Sequence, residues 1–110
     1  MSLGHNKYRA VKTTVDGHRF DSKKEAKRYQ ELCLMERAKA IEHLQNQVAF
    51  PLVKKSQYGR EIKYIADFVY YENGKMVVED VKSPITKKNP LYRLKVRLMA
   101  EIYGIVVKET

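Results

Sequence analysis

Asp67 and the tripeptide Asp80-Val81-Lys82 are the residues of this chain whose types and spacing best suit chemistry. Between them lies Asn73-Gly74, a pair that favours a two-residue type I′ hairpin turn. With that turn Glu72 faces Lys75, and stepping back along both strands brings Asp67 opposite Asp80. Ile65 then falls opposite Lys82, two residues further along the same sheet face, so both carboxylates and the amine share one patch. Ala66 with Val81, Phe68 with Glu79 and Tyr70 with Val77 are expected on the other face. Carboxylates placed opposite each other, with Cβ atoms about 5 Å apart, repel unless something neutralises them. A divalent cation would do so. Mg²⁺, small and hard, takes one or two carboxylates together with water and a substrate phosphate, which is what this patch offers. Lys82 would steady a water nucleophile or the charge developing on phosphorus. The alternative is an aspartate pair at a strand end, relieved by Lys82 as an ordinary ion pair.

The strands carrying this patch, residues 62–71 and 75–82, need elements to hold them. Upstream, residues 8–20 contain Val11, Thr13, Thr14 and Val15 before Asp16-Gly17, which predicts a short hairpin. Ser22-Lys23-Lys24-Glu25 fits a capping box, with Ser22 at the helix cap and Glu25 reaching back to it. From there a helix is expected to about residue 44, because Ala26, Tyr29, Cys33, Ala40, Ile41 and Leu44 fall on one stripe at helical spacing. Cys33 on that stripe reads as core. Glu25 lies at the stripe's margin, so capping explains it and an aspect toward the sheet edge is also open.

Residues 47–53 form an apolar run of strand length whose Pro51 suggests an edge or an end, with Gln45 and Gln47 just before it as possible flanks of the site. After Ser83-Pro84 a basic loop leads to Asn89-Pro90, a cap followed by proline at the first helical position. The second helix should bury Leu91, Leu94, Leu98 and Ile102 and end at Gly104, with a last strand over residues 105–108. Lys87, Lys88, Tyr92, Arg93, Lys95 and Arg97 cluster near its start, where helix amides also favour anions, and are the candidate DNA contacts. The same charges could equally be the solvated side of an amphipathic helix. The order hairpin-α-β-β-β-α-β is that of a mixed α/β (α+β) protein with one central mixed sheet flanked by helices.

At 110 residues and 44% apolar content the chain suits one compact domain, residues 1–110, with residues 1–7 read as a flexible leader. No run approaches the roughly 20 apolar residues that span a bilayer, and no signal-peptide pattern is present, so a soluble, cytoplasmic protein is expected with no membrane partner. A lone Cys33 and scattered His5, His18 and His43 provide no disulfide and no zinc spacing. The 22 basic side chains against 13 acidic ones, a formal charge of +9, favour a polyanionic partner. Charge alone does not choose between binding and cutting it.

Asp67, then Asp80-Val81-Lys82 near the end of the next strand, preceded by a helix with Glu25, resembles the PD-(D/E)XK nuclease signature. The order helix, three strands, helix, strand resembles that superfamily's restriction-endonuclease-like core, over roughly residues 22–108. The words Phe20-Asp21-Ser22-Lys23-Lys24-Glu25, Ala66-Asp67-Phe68 and Glu79-Asp80-Val81-Lys82-Ser83 are similar to those of a phage and prophage family placed within it. The resemblance implies that Asp67 and Asp80 bind Mg²⁺ or Mn²⁺, that Glu25 and the Val81 carbonyl assist as ligands, and that Lys82 is the catalytic lysine. Ala66 stands where the signature has proline, a mild departure. Glu79 is a rival for Asp80, but alternation points it away from Asp67. Small nucleases of this fold include Holliday-junction resolvases, which are homodimers, so the implied function is a branched-DNA endonuclease in phage recombination inside a bacterial host. The rival from another class is a noncatalytic nucleic-acid-binding module, its acidic pair structural and its basic helix the binding element.

Overall fold

The computed structural model describes residues 12–110. The expected leader, and the part of the first hairpin before Lys12, lie outside the described residues. Thr13–Val15 (β1) and His18–Phe20 (β2) pair across Asp16-Gly17 as a separate two-stranded sheet. Both turn residues take the left-handed conformation that a type I′ turn needs, with φ of 50° and 81°.

Ser22 caps the first helix, α1 (Lys23–Arg37), its Oγ accepting the Glu25 N–H at 3.1 Å. The helix does not continue to residue 44. Ala38 closes it and Lys39 turns left-handed at φ 64°, so Ala40 and Ile41 belong to a turn and Leu44 to the next strand. Ile41 is buried all the same, which is how a turn residue mimicked a helical stripe. Here Glu36 takes over from the helix, accepting the Leu44 N–H at 2.9 Å.

Strand β3 (Glu42–Val53), β4 (Ile62–Glu72) and β5 (Lys75–Asp80) form an antiparallel meander, and β6 (Lys108–Glu109) joins β5 in parallel. The sheet is therefore mixed, in the order β3-β4-β5-β6. The β4–β5 register is the expected one: Glu72 pairs with Lys75, Tyr70 with Val77 and Phe68 with Glu79. The last strand is shorter and later than residues 105–108. Between β5 and the second long helix, α3 (Pro90–Tyr103), the expected loop contains one helical turn, α2 (Pro84–Lys87), capped by Ser83.

Each sheet face has its own core. On one, Ala26, Tyr29 and Leu32 of α1 meet Phe20, Ile41, Phe68 and Tyr70. On the other, Met99 of α3 meets Tyr64, Ala66, Val69, Val78 and Val107. Ala66 and Phe68 would share a face in a regular strand, yet they lie in opposite cores, so the alternation of β4 slips by one residue around Asp67. Ala66 accordingly sits on the α3 side, not with Val81 as the regular pattern implied. The neighbouring strand slips at the same level: Gln47, between the pairs Asn46–Phe68 and Val48–Ala66, has φ 53°.

Helix α3 presents a different face to the sheet than its leucines suggest. Tyr92, Val96 and Met99 pack inward, while Leu91, Leu94 and Ile102 are 58%, 51% and 49% exposed. Leu98 is half-buried. Asn89 caps the helix, its Oδ1 accepting the Tyr92 N–H at 3.0 Å.

Candidate metal centre

The slip at Asp67 lies just beyond the last β4–β5 pair, Phe68 with Glu79, where the two strands part. Side chains replace the missing ladder. The Asp67 N–H donates to Asp80 Oδ1 at 3.0 Å, and the Val81 N–H donates to Asp67 Oδ2 at 2.9 Å. Asp80 Oδ2 accepts the Tyr64 hydroxyl, which rises from the α3 side. Lys82 Nζ lies 4.0 Å from the same Oδ2 and 4.8 Å from the centre of the Tyr92 ring. Lys82 itself follows β5 rather than lying in it, held by its N–H to the Thr110 carbonyl at 3.0 Å.

Asp80 is fully buried and Glu25 nearly so. Glu25, Asp67, Val81 and Lys82 line one cavity of about 650 Å³, which reaches Ser83 and Asn89 on its far side. Glu25 is thus more than a cap. Its Oε2 accepts from Gln47 Nε2 at 3.3 Å, and Gln47 reaches it from the irregular point of β3. Burial pushes the Asp67 carboxyl up to about 8, with the Asp80 charge adding to the shift and the Val81 amide opposing it. Burial also raises Glu25, helped by Asp21. Carboxyls so placed are stabilised as anions once a cation neutralises them.

The donors present fit a hard cation: carboxylate oxygens of Asp67, Asp80 and Glu25, with no sulfur or imidazole among the lining residues. Each Asp80 oxygen already accepts one hydrogen bond, and a carboxylate has about four acceptor sites, so capacity remains on both. Among the described residues no group of three or more His, Cys, Asp or Glu side chains is gathered tightly enough to hold a metal. Two aspartates are the number of carboxylates that Mg²⁺ commonly takes from a protein, with water and phosphate supplying the rest of its shell.

Glu79, the rival for Asp80, faces the other way. It is fully buried against α1, bound by Arg28 at 2.6 and 3.1 Å, by the Tyr70 hydroxyl at 2.7 Å and by the Thr110 hydroxyl at 3.1 Å. These bonds hold its carboxyl below the usual range against the opposing effect of burial.

A family model described as "Protein of unknown function (DUF1064)" matches residues 5–107. The chain belongs to that family. No curated protein and no solved structure matches it.

In this DUF1064 chain the expected DNA contacts do not gather at the cavity. Lys88, Arg93 and Arg97 are exposed, Lys87 and Lys95 are half-buried, and none of the five lines it. Tyr92 turns inward, its hydroxyl donating to Glu109 Oε2 at 2.6 Å and its ring lying under Lys82. The Val81 group that touches Asp67 is the amide. Sequence reasoning missed Tyr64 and Lys24. Tyr64 is three residues from Asp67 on a slipped strand, which periodicity hides. Lys24 lines the cavity one residue before Glu25, and its Nζ donates to the Lys82 carbonyl at 3.0 Å.

Proposed function

We propose that this chain is a Mg²⁺-dependent DNA endonuclease of the PD-(D/E)XK type with a restriction-endonuclease-like core, acting on branched DNA such as Holliday junctions in phage or prophage recombination, in the cytoplasm of the host. The observation that carries the reading is the convergence of Asp67, Asp80 and Lys82 where β4 and β5 part, beside a cavity shared with Glu25. The element order from α1 to β6 supports the fold assignment.

In this reading Asp67 and Asp80 would hold Mg²⁺, or Mn²⁺ in its place, which would supply charge neutralisation and polarisation of the phosphate. Glu25 would complete the acidic wall, and Tyr64 orients Asp80. The Lys82 ammonium stabilises negative charge on the phosphoryl oxygens as water bonds to phosphorus and the P–O bond to the leaving strand end breaks. The attacking water gives its proton to solvent and the departing oxygen takes one from solvent, leaving a phosphomonoester end and a hydroxyl end. Tyr92 keeps the ammonium over the site by a cation–π contact. A homodimer belongs to this reading because a junction presents two strands to be cut. The exposed Leu91, Leu94 and Ile102 of α3 are an apolar face on which two copies can pair.

One observation favours the second reading, a noncatalytic nucleic-acid-binding module. Both aspartates accept backbone amides across the strand gap, so they also have a structural task. The deciding experiment presents branched DNA, linear duplex and single strand to the protein with Mg²⁺, with Mn²⁺ and with chelator. Metal-dependent cutting, strongest on the branched substrate and absent in Lys82→Ala, is expected. DNA binding without cutting under every condition overturns the enzyme in favour of the module.

A further inference from the structure

A second cavity, of about 450 Å³, lies on the outer side of α1, lined by Lys24, Lys27, Arg28, Val81 and Lys108 together with Glu31 and Thr110. Lys24 and Val81 line the Asp67 cavity as well, so the two hollows share a wall. We propose that this basin binds the phosphodiester backbone of the DNA strand as it leaves the metal centre, passing between α1 and β6 and not along α3. The proposal takes its substrate class from the nuclease reading, while the binding itself needs no cleavage.

The charges in the basin are not equivalent. Arg28 is committed to Glu79 at 2.6 Å and to Glu31 at 3.2 Å. Glu31, the one carboxylate side chain in the lining, shares Arg28 with Glu79, which leaves three ammonium groups against one unbalanced negative charge. Lys24 has given one donor to the Lys82 carbonyl and keeps two. Lys27 and Lys108 are exposed, and no described carboxylate lies within ion-pair distance of either. Lys24, Lys27 and Lys108, from α1 and β6, therefore line one basin with no described carboxylate within ion-pair distance of any of them and with a surplus of positive charge. Such a group is held apart by mutual repulsion until an anion bridges it. A phosphodiester is the matching anion, because a strand with one phosphate at Asp67 must carry its neighbours past Lys24. Arg28 and Glu31, the lining groups best able to read a base edge, are bonded to each other and Arg28 also to Glu79, so binding here falls to the ammonium groups and should be insensitive to sequence.

The basic residues of α3 provide the contrast. Arg93, Lys95 and Arg97, which the sequence offered as DNA contacts, line neither hollow.

The test is binding of a short fluorescent DNA, single-stranded and duplex, in chelator across a salt series. The variants are wild type, Lys27→Gln/Lys108→Gln, Lys54→Gln/Lys55→Gln as a control for net charge, and Arg93→Gln/Arg97→Gln. For the first pair the affinity should fall about tenfold, and the slope of log affinity against log salt should lessen by about two. Lys27→Arg/Lys108→Arg, which keeps the charge, should bind as wild type does and guards against a folding defect. The proposal is overturned if the Lys27/Lys108 pair binds within about twofold of wild type, if Lys54/Lys55 loses as much, or if the loss appears only in Arg93/Arg97. Binding to anionic phospholipid vesicles in place of DNA, lost in the same variant, overturns it too. The two readings separate cleanly. A wild type that binds DNA through these lysines and never cuts keeps the basin and removes the nuclease, whereas cutting with full affinity in Lys27→Gln/Lys108→Gln does the reverse.

Discussion

Asp67 reaches Asp80 through its backbone: its N–H donates to Asp80 Oδ1 at 3.0 Å, while its own carboxylate turns to the Val81 amide at 2.9 Å. The two side chains thus cross the strand gap in opposite directions. Each stands in for a ladder bond lost where the strands separate. On the proposed function, cation binding and strand-end stability would draw on the same two carboxylates.

That coupling sets a pH dependence. The Asp67 carboxyl has a folded-state value of about 8 against an ordinary value of 3.8, so the folded metal-free protein holds a proton that the unfolded chain releases. Its contribution to stability is complete below about pH 4 and is lost as pH rises toward 8. Thermal unfolding in chelator should show a melting temperature falling across that window, and Mg²⁺ should flatten the fall. Asp67→Asn should lessen the slope, leaving the share of Glu25, whose carboxyl burial also raises. A slope unchanged in that variant would contradict the assignment.

Glu79 acts in the opposite sense. Its folded-state value lies below the ordinary one, so its contribution is present above the normal carboxylate range and is lost as pH drops through the lowered value. Arg28→Ala leaves a fully buried carboxylate without its cation and should cost about 3 to 5 kcal/mol. Denaturant unfolding at neutral pH measures it. A loss under about 1 kcal/mol would mean that the Tyr70 and Thr110 hydroxyls suffice.

Tyr64 touches Asp80 and lines neither hollow, so its expected role is orientation. Removing only the hydroxyl, in Tyr64→Phe, should weaken Mg²⁺ binding about 10-fold to 100-fold, as loss of a ligand's supporting hydrogen bond does. The melting temperature in chelator should change little by comparison. A variant that loses stability and keeps full metal affinity would make Tyr64 a core residue alone.

The α3 face yields a prediction on assembly. Leu94→Glu with Ile102→Glu should convert a dimer to a monomer in sedimentation experiments, with the fold retained, because both side chains are half-exposed and outside the core. A wild type that remains monomeric at high concentration would remove the dimer.

The sequence carried the hairpin register well, because Asn73-Gly74 admits few turns and a turn fixes every pair behind it. It also carried the Ser22 and Asn89 caps, which are local side-chain chemistry. The end of α1 was hidden because Ile41 is buried from a turn. The buried face of α3 was hidden because leucine spacing describes a helix without saying which apolar stripe meets the sheet, and here Tyr92, Val96 and Met99 do. Gln47, expected as a flank of the site, does reach Glu25, whereas Tyr64 was illegible because strand alternation was assumed constant where β4 slips. Local rules read turns and caps, and tertiary contacts decide the rest.

Direct titration of metal into the apoprotein addresses the centre most squarely, by calorimetry with Mg²⁺ or electron paramagnetic resonance with Mn²⁺. Wild type should bind the cation, and Asp67→Asn and Asp80→Asn should each bind it at least about tenfold more weakly while remaining folded. Equal binding by all three proteins, or none by wild type even with DNA present, would contradict a metal centre at these two residues.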